Sequence, residues 1–231
     1  MPGNENRYVI ATIKSWNIDQ FYNLKRKYPD KDFVLVNSKD DLSMSFLKEY
    51  NPRIIFFPHW SWIIPEEIYS NYECVVFHST DLPFGRGGSP IQNLLVRGIY
   101  NTKVSAIKVC HDIDAGPFYI KEPIYIGDGN IDNILSNISD IIFNKMIPRF
   151  LDEELIPVEQ TGTVVSFCRR KPEQSEIPTG LSQRQIYDYI RMLDGEGYPP
   201  AFIKFNNGKI IFTDAVFEND TVKAQAQFVI D

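Results

Sequence analysis

Apolar residues come in short blocks along the first half of the chain. Residues 8–13 and 33–36 are runs of branched and aromatic side chains, the composition of strands covered on both faces. Between them, residues 16–28 are more polar and place Ile18, Phe21, Tyr22 and Leu24 at helical spacing. The alternation continues with a helix over 40–50, a third strand over 53–57 and a fourth over 74–77. Strands that alternate with helices need crossover connections, so the pattern predicts an α/β fold with a Rossmann-like, doubly wound, mostly parallel sheet. Ligands of such sheets bind beyond the carboxyl ends of the strands, which points to the residues that follow Phe77.

Residues 80–88 are too rich in glycine for a helix and too long for a minimal connection, and they read as a functional loop. Ser89-Pro90 then supplies an N-cap and a proline for a helix with a buried stripe of Ile91, Leu94 and Leu95. Strands are expected over 104–109 and 118–125. A long helix follows, with apolar positions Ile131, Ile134, Leu135, Ile138, Ile141 and Ile142, and Pro148 should end or kink it. From about Leu155 the elements become isolated: a strand over 163–167, the basic cluster Arg169-Arg170-Lys171, and a helix opened by a Ser182/Gln185 capping box. The buried positions of that helix would be Ile186, Tyr189, Ile190 and Leu193. Residues 201–217 read as a hairpin turning at Asn206-Asn207-Gly208. The expected organisation is a first domain over 1–154 and a small C-terminal α+β appendage over 155–231.

Composition narrows the function without naming it. With 43% hydrophobic and 23% charged residues in 231, the chain is of ordinary globular make-up. No apolar run approaches the roughly 18 residues a membrane span needs, so a soluble, cytoplasmic protein with no membrane partner is expected. Cys74, Cys110 and Cys168 are too far apart to form a close Cys pair, and no metal site is expected. A net charge of −6 lacks the excess of Lys and Arg that a phosphate backbone calls for, so no nucleic-acid partner is expected either.

The chemistry sits in two stretches, His78-Ser79-Thr80-Asp81-Leu82-Pro83-Phe84-Gly85-Arg86-Gly87-Gly88-Ser89-Pro90-Ile91-Gln92 and Asp112-Ile113-Asp114-Ala115-Gly116. Taken alone, His78 could cap a strand end and Asp114 could shape a turn. Together, in this order, they resemble the folate-dependent formyltransferase family, whose pattern is an H-x-S-L-L-P-x-x-R-G-x-x-P loop followed by a D-x-G turn. The resemblance covers roughly residues 8–126. It implies a catalytic domain over 1–154 that takes N10-formyltetrahydrofolate as co-substrate, with His78 and Asp114 as the catalytic pair. The residue types suit the reaction. A neutral amine must attack the formyl carbon and lose a proton, and the oxyanion of the tetrahedral intermediate needs stabilising. An imidazole supported by a carboxylate can take that proton near neutral pH.

In one respect the chain departs from the pattern. The family carries Asn two residues before its catalytic His, where an amide stabilises the formyl oxygen; here Val76 stands there. A backbone N–H, cationic His78, Ser105 or His59 would have to take over. The resemblance further implies pterin contacts from His59, Trp60, Ser61, Trp62 and Ile63 after the third strand and from His111, Asp112 and Ile113 before Asp114. Acceptor contacts are expected from Arg86, Gly87 and Gly88, and from Arg169, Arg170 and Lys171, whose three donors would suit a diphosphate. Residues 193–203 and 56–62 look like the corresponding parts of bacterial amino-sugar formyltransferases. The expected acceptor is therefore a nucleotide-linked amino-deoxy sugar, with a UDP-linked 4-amino-4,6-dideoxy sugar of the pseudaminic acid type favoured. Hydrolysis of formyltetrahydrofolate, non-catalytic binding of folate or a nucleotide sugar, and a homodimer all stay open.

Overall fold

The computed structural model describes residues 4–230. Its central sheet runs in the order β2-β1-β3-β4-β6-β7, with β1 Asn4–Ala11, β2 Asp32–Val36, β3 Pro52–Phe57, β4 Glu73–His78, β6 Asn101–Lys108 and β7 Phe118–Tyr125. The β1–β2, β1–β3 and β3–β4 pairs are parallel and β4–β6 is antiparallel. Helices α1 Ser15–Lys27, α2 Met44–Tyr50 and α3 Glu66–Tyr69 fill the crossovers between the parallel strands. The expected mostly parallel α/β sheet with a C-terminal appendage is the fold observed.

Two compact units alternate along the chain. One comprises residues 1–86, 103–123 and 137–165; the other comprises 87–102, 124–136 and 166–231.

In the first unit, alternate strand residues go to opposite faces of the sheet. Val9, Ala11, Ile55, Phe57 and Cys74 join Val36, Leu47, Ile64 and Ile68 in one apolar cluster. On the other face Tyr8, Phe33, Phe56, Phe77 and Phe150 form a run of ring contacts. Cys74, Val76 and His78 share a face of β4, so the strand that buries Cys74 carries His78 to its carboxyl end on the same side. At the end of this unit's segments, Pro148 does not stop the long helix. Helix α5 Ile131–Ile141 passes through a π-helical turn at Ile142–Met146, where the Ile147 N–H donates to the Ile142 carbonyl, into α6 Ile147–Asp152, so the helix changes pitch just ahead of Pro148 and continues past it.

In the second unit, α4 Pro90–Leu95 begins after Ser89, as expected, but Ser89 adopts a left-handed conformation (φ 51°) and makes no side-chain cap. Its hydroxyl accepts instead from the Arg170 N–H at 3.1 Å. The Ser182/Gln185 capping box opens α7 Gln183–Arg191 as expected. This helix buries more than the predicted stripe: Tyr187, Asp188 and Arg191 are buried, and Ile186 is only half-buried. The two charges are tolerated because every arm is paired. Arg191 meets Asp188 at 2.7 Å and donates to the Gly129 and Ile126 carbonyls at 2.9 Å each, and Tyr100 donates to Asp188 at 2.6 Å. The predicted hairpin, β8 Ala201–Phe205 with β9 Gly208–Glu218, gains a third antiparallel strand, β10 Thr221–Ile230. Positive φ in its turn falls on Asn206; Gly208 is needed because a Cβ there would lie 2.3 Å from the Val229 carbonyl oxygen.

Candidate active site

The loop after β4 folds back on His78. The segment expected to be wholly irregular contains a short strand, β5 Phe84–Gly87, and at Gly85 the chain takes φ 82°, a conformation that suits glycine. The Gly85 carbonyl accepts from His78 Nε2 at 2.7 Å. A carbonyl can only accept, so Nε2 carries the proton in this arrangement. On the other side of the ring, Nδ1 lies 3.4 Å from Asp114 Oδ2, an ion-pair distance rather than a short hydrogen bond. His78 is 8% exposed. Taking a proton from a substrate therefore requires a change of tautomer: Nδ1–H turned to the carboxylate, and Nε2 released from Gly85 to present its lone pair.

Asp114 reaches this ring from a constrained turn between β6 and β7. Its own φ is 53°, and a Cβ on Gly116 would stand 1.8 Å from the Lys108 carbonyl oxygen. The turn is closed by the Lys108 N–H donating to the Pro117 carbonyl at 2.9 Å. Just ahead of it, His111 and Asp112 pair with each other at 3.1 Å and are exposed, as is Ile113.

Gln160 ties the turn down, and nothing in its sequence surroundings marks it. Its Nε2 donates to the Asp114 carbonyl at 2.9 Å and the Gly116 carbonyl at 2.7 Å, while its Oε1 accepts from Arg86 Nε at 3.1 Å and Nη2 at 2.8 Å. Two of Arg86's nitrogens are thus engaged within the protein. Nearby in the chain, Asp81 is held by Lys103 at 3.1 Å and Lys121 at 2.8 Å, and these ammonium groups keep its carboxyl below the usual range against the opposing effect of burial.

Beyond β3, Trp60 packs on the apolar cluster and against Phe57 and Trp62, whereas Trp62 and Ile63 are exposed and Ser61 is at the surface. His59 is tied to a second residue without a sequence signature, Asn17. The Asn17 amide donates towards His59 Nδ1 at 3.0 Å and to Thr12 Oγ1 at 2.9 Å, and accepts from Ser139 Oγ at 2.6 Å. Burial, with Lys14 adding repulsion, lowers the His59 pKa to about 4, so this ring is neutral at pH 7. In the second unit, Gly87 and Gly88 pass so close to Phe167 and Arg169 that a Cβ would meet them at 2.4 and 2.6 Å. Of the basic cluster there, Arg170 is engaged with the Gln174 carbonyl and the Tyr189 hydroxyl. Among the described residues no group of His, Cys, Asp and Glu could hold a metal ion, and no helix is long and apolar enough to cross a membrane.

One of the substitutes considered for the missing amide, Ser105, is already committed: it is fully buried and spends its hydroxyl proton on the Thr80 carbonyl at 2.7 Å. His59 Nδ1 faces Asn17, whereas its buried Nε2 has no partner among the described residues. Val76 itself is half-buried against the apolar cluster.

A methionyl-tRNA formyltransferase from Clostridium thermocellum superposes with a TM-score of 0.93 and is 47% identical, covering 97% of this chain and 99% of its own. The chain belongs to the formyltransferase family. Residues 172–229 of this formyltransferase chain match the model of the methionyl-tRNA formyltransferase C-terminal domain. The methionyl-tRNA formyltransferase of Thermodesulfovibrio yellowstonii is 26% identical over 202 residues, 83% of this chain and 66% of its own length. The chain spans 55–66% of the length of the first four curated relatives it matches. A protein of Mycobacterium tuberculosis described as a likely sugar N-formyltransferase shares the fold alone, at 14% identity and TM-score 0.72 over 90% of this chain and 96% of its own. N10-formyltetrahydrofolate is the formyl donor of the family.

These relationships overturn the expected acceptor. The nucleotide-linked amino-deoxy sugar, with its glycan and pseudaminic acid associations, and the exclusion of nucleic acid both give way, because the 47% identical structure and the curated relatives are methionyl-tRNA formyltransferases, while the sugar enzymes match at 12–14% identity. The exclusion rested on a net charge of −6, which is a sum over the whole chain. Net charge governs long-range attraction and does not describe the local surface that would receive an aminoacylated end. The C-terminal likeness to sugar enzymes was drawn from residues 193–203, which lie inside the stretch that matches the methionyl-tRNA formyltransferase domain.

Proposed function

We propose that this chain transfers the formyl group of N10-formyltetrahydrofolate to the α-amine of methionyl-tRNA, with His78 and Asp114 moving and stabilising the proton. The observation that carries the reading is the His78–Asp114 pair at the end of β4, in a chain 47% identical to a methionyl-tRNA formyltransferase. The donor supplies the activated formyl carbon. Exposed apolar side chains on the strand-end loops, Trp62, Ile63 and Ile113, suit the planar pterin of that donor. The amine nitrogen bonds to the formyl carbon as the bond from that carbon to N10 breaks. His78 Nε2 accepts the proton the amine gives up, Nδ1–H faces Asp114 while the ring is charged, and the same proton can pass to the departing nitrogen. Arg86, Gly87, Gly88 and the 169–171 cluster are assigned to the acceptor side, where Arg and Lys suit phosphate.

The test is incubation of aminoacylated initiator tRNA with N10-formyltetrahydrofolate and the protein, followed by mass spectrometry of the released methionine. A gain of one formyl group is expected, and its absence at enzyme levels comparable to the tRNA would overturn the reading.

Cationic His78, the unpartnered Nε2–H of His59 or a backbone N–H is left to stabilise the formyl oxygen in place of the family's Asn. Val76→Asn is therefore expected to change kcat by less than about tenfold, or about 1.4 kcal/mol in the barrier. Losing one oxyanion donor typically costs about 2.7–4 kcal/mol. A hundredfold gain in single-turnover rate would show that nothing had replaced the amide.

A further inference from the structure

We infer that Gln160 is a positioning residue: it clamps the Asp114–Gly116 turn so that the Asp114 carboxylate stays opposite His78, and Arg86 holds the clamp in orientation. The inference rests on the proposed formyl transfer for its catalytic consequence, but the clamp stands on geometry alone.

The turn needs holding. Asp114 has a left-handed backbone at φ 53°, a sparsely populated conformation for a non-glycine residue, and the chain at Gly116 lies against the Lys108 carbonyl. Its two carbonyls, Asp114 O at 2.9 Å and Gly116 O at 2.7 Å, converge on the single amide nitrogen of Gln160 and use both of its hydrogens. An amide side chain can rotate and exchange its oxygen for its nitrogen. The Arg86 guanidinium prevents this, because Nε at 3.1 Å and Nη2 at 2.8 Å can only donate and so demand the oxygen on their side. The side-chain amide of Gln160 thus has one permitted orientation. Its link to the turn spans 46 residues of sequence, from a segment whose side chain is half-buried. With Asp114 Oδ2 already 3.4 Å from His78 Nδ1, a small drift of the turn would uncouple the pair. A misplacement of about 1 Å can cost a hundredfold in rate.

Gln160→Glu separates the two halves of the device. A carboxylate still accepts from Arg86, but it has no N–H for the carbonyls of Asp114 and Gly116. Two readouts are compared with wild type under identical conditions: hydrogen–deuterium exchange of peptides spanning 109–117, and kcat and KM for formyl transfer. The exchange of those peptides should quicken about tenfold or more while the thermal midpoint moves little. kcat should fall ten- to a hundredfold, with KM for donor and acceptor within about threefold. Gln160→Ala should behave similarly, and Gln160→Asn should fail to rescue because its shorter arm cannot span from Arg86 to the turn. Unchanged exchange in Gln160→Glu would overturn the clamp, and faster exchange with unchanged kcat would overturn its positioning role. Absence of formyl transfer by the wild-type protein would overturn the functional reading, and exchange alone would then decide whether Gln160 holds the turn.

Discussion

Replacing His78 by Asn should lower kcat for formyl transfer by a hundred- to ten-thousandfold, the range that a positioned proton acceptor supplies. Asn is too short to reach the Gly85 carbonyl that His78 Nε2 meets at 2.7 Å, but that carbonyl keeps the Thr80 hydroxyl as a donor at 3.4 Å. The loop after β4 therefore keeps a partner, and the circular dichroism spectrum and thermal midpoint should stay close to wild type. What is lost is the only basic nitrogen in the pair. Single-turnover measurements with saturating donor and acceptor isolate that step from product release. A wild-type rate in this variant would remove His78 from the reaction.

Asp114→Asn should lower kcat by about a hundredfold, with KM for the acceptor changed by less than about threefold. Asn is the informative replacement here because the residue sits at φ 53°, a conformation that Asn tolerates better than most side chains. Its backbone carbonyl can keep its bond from Gln160. The negative charge 3.4 Å from His78 Nδ1 disappears, however, and an amide turned N–H first towards Nδ1 would hold the proton on Nε2, the nitrogen that must be bare to accept. A rise in acceptor KM without a fall in kcat would place Asp114 in recognition instead.

The contrast between His78 and Gln160 explains how far the sequence could be read. His78 is legible because it interrupts a pattern, ending the apolar strand Cys74 to Phe77 and opening a stretch of Pro and Gly unsuited to a helix interior. The strands before it are legible for the same reason: each is an apolar run of strand length, and parallel strands covered on both faces must be. Gln160 interrupts nothing, since it lies in a polar, aperiodic stretch where glutamine is ordinary, and its meaning arises only when folding brings Arg86 and the Asp114 turn to its two ends. Asn17 is silent in the same way, one polar residue in a polar helix start until Pro58, His59 and Ser139 close around it. Arg191 and Asp188 are illegible for the opposite reason: on a helix, charged residues signal a solvated face, and their mutual pairing together with the carbonyls of Ile126 and Gly129 and the Tyr100 hydroxyl offsets the cost of burial. The acceptor escaped because total charge sums over surfaces that never meet it.

The alternation of the two units along the chain sets a limit on dissection. Segments 87–102 and 124–136 are followed only much later by their packing partners within residues 166–231. The buried Arg191 guanidinium reaches the carbonyls of Ile126 and Gly129, and the Met192 carbonyl accepts from Gln92. A fragment ending at 154 would therefore contain carbonyls and amides that had lost their counterparts, and the remainder would hold a buried arginine with nothing to donate to. During synthesis, too, the earlier segments must wait for the last third of the chain before that unit can close. The molecule is in this sense written in parentheses, and its second unit is complete only when the closing bracket has been made.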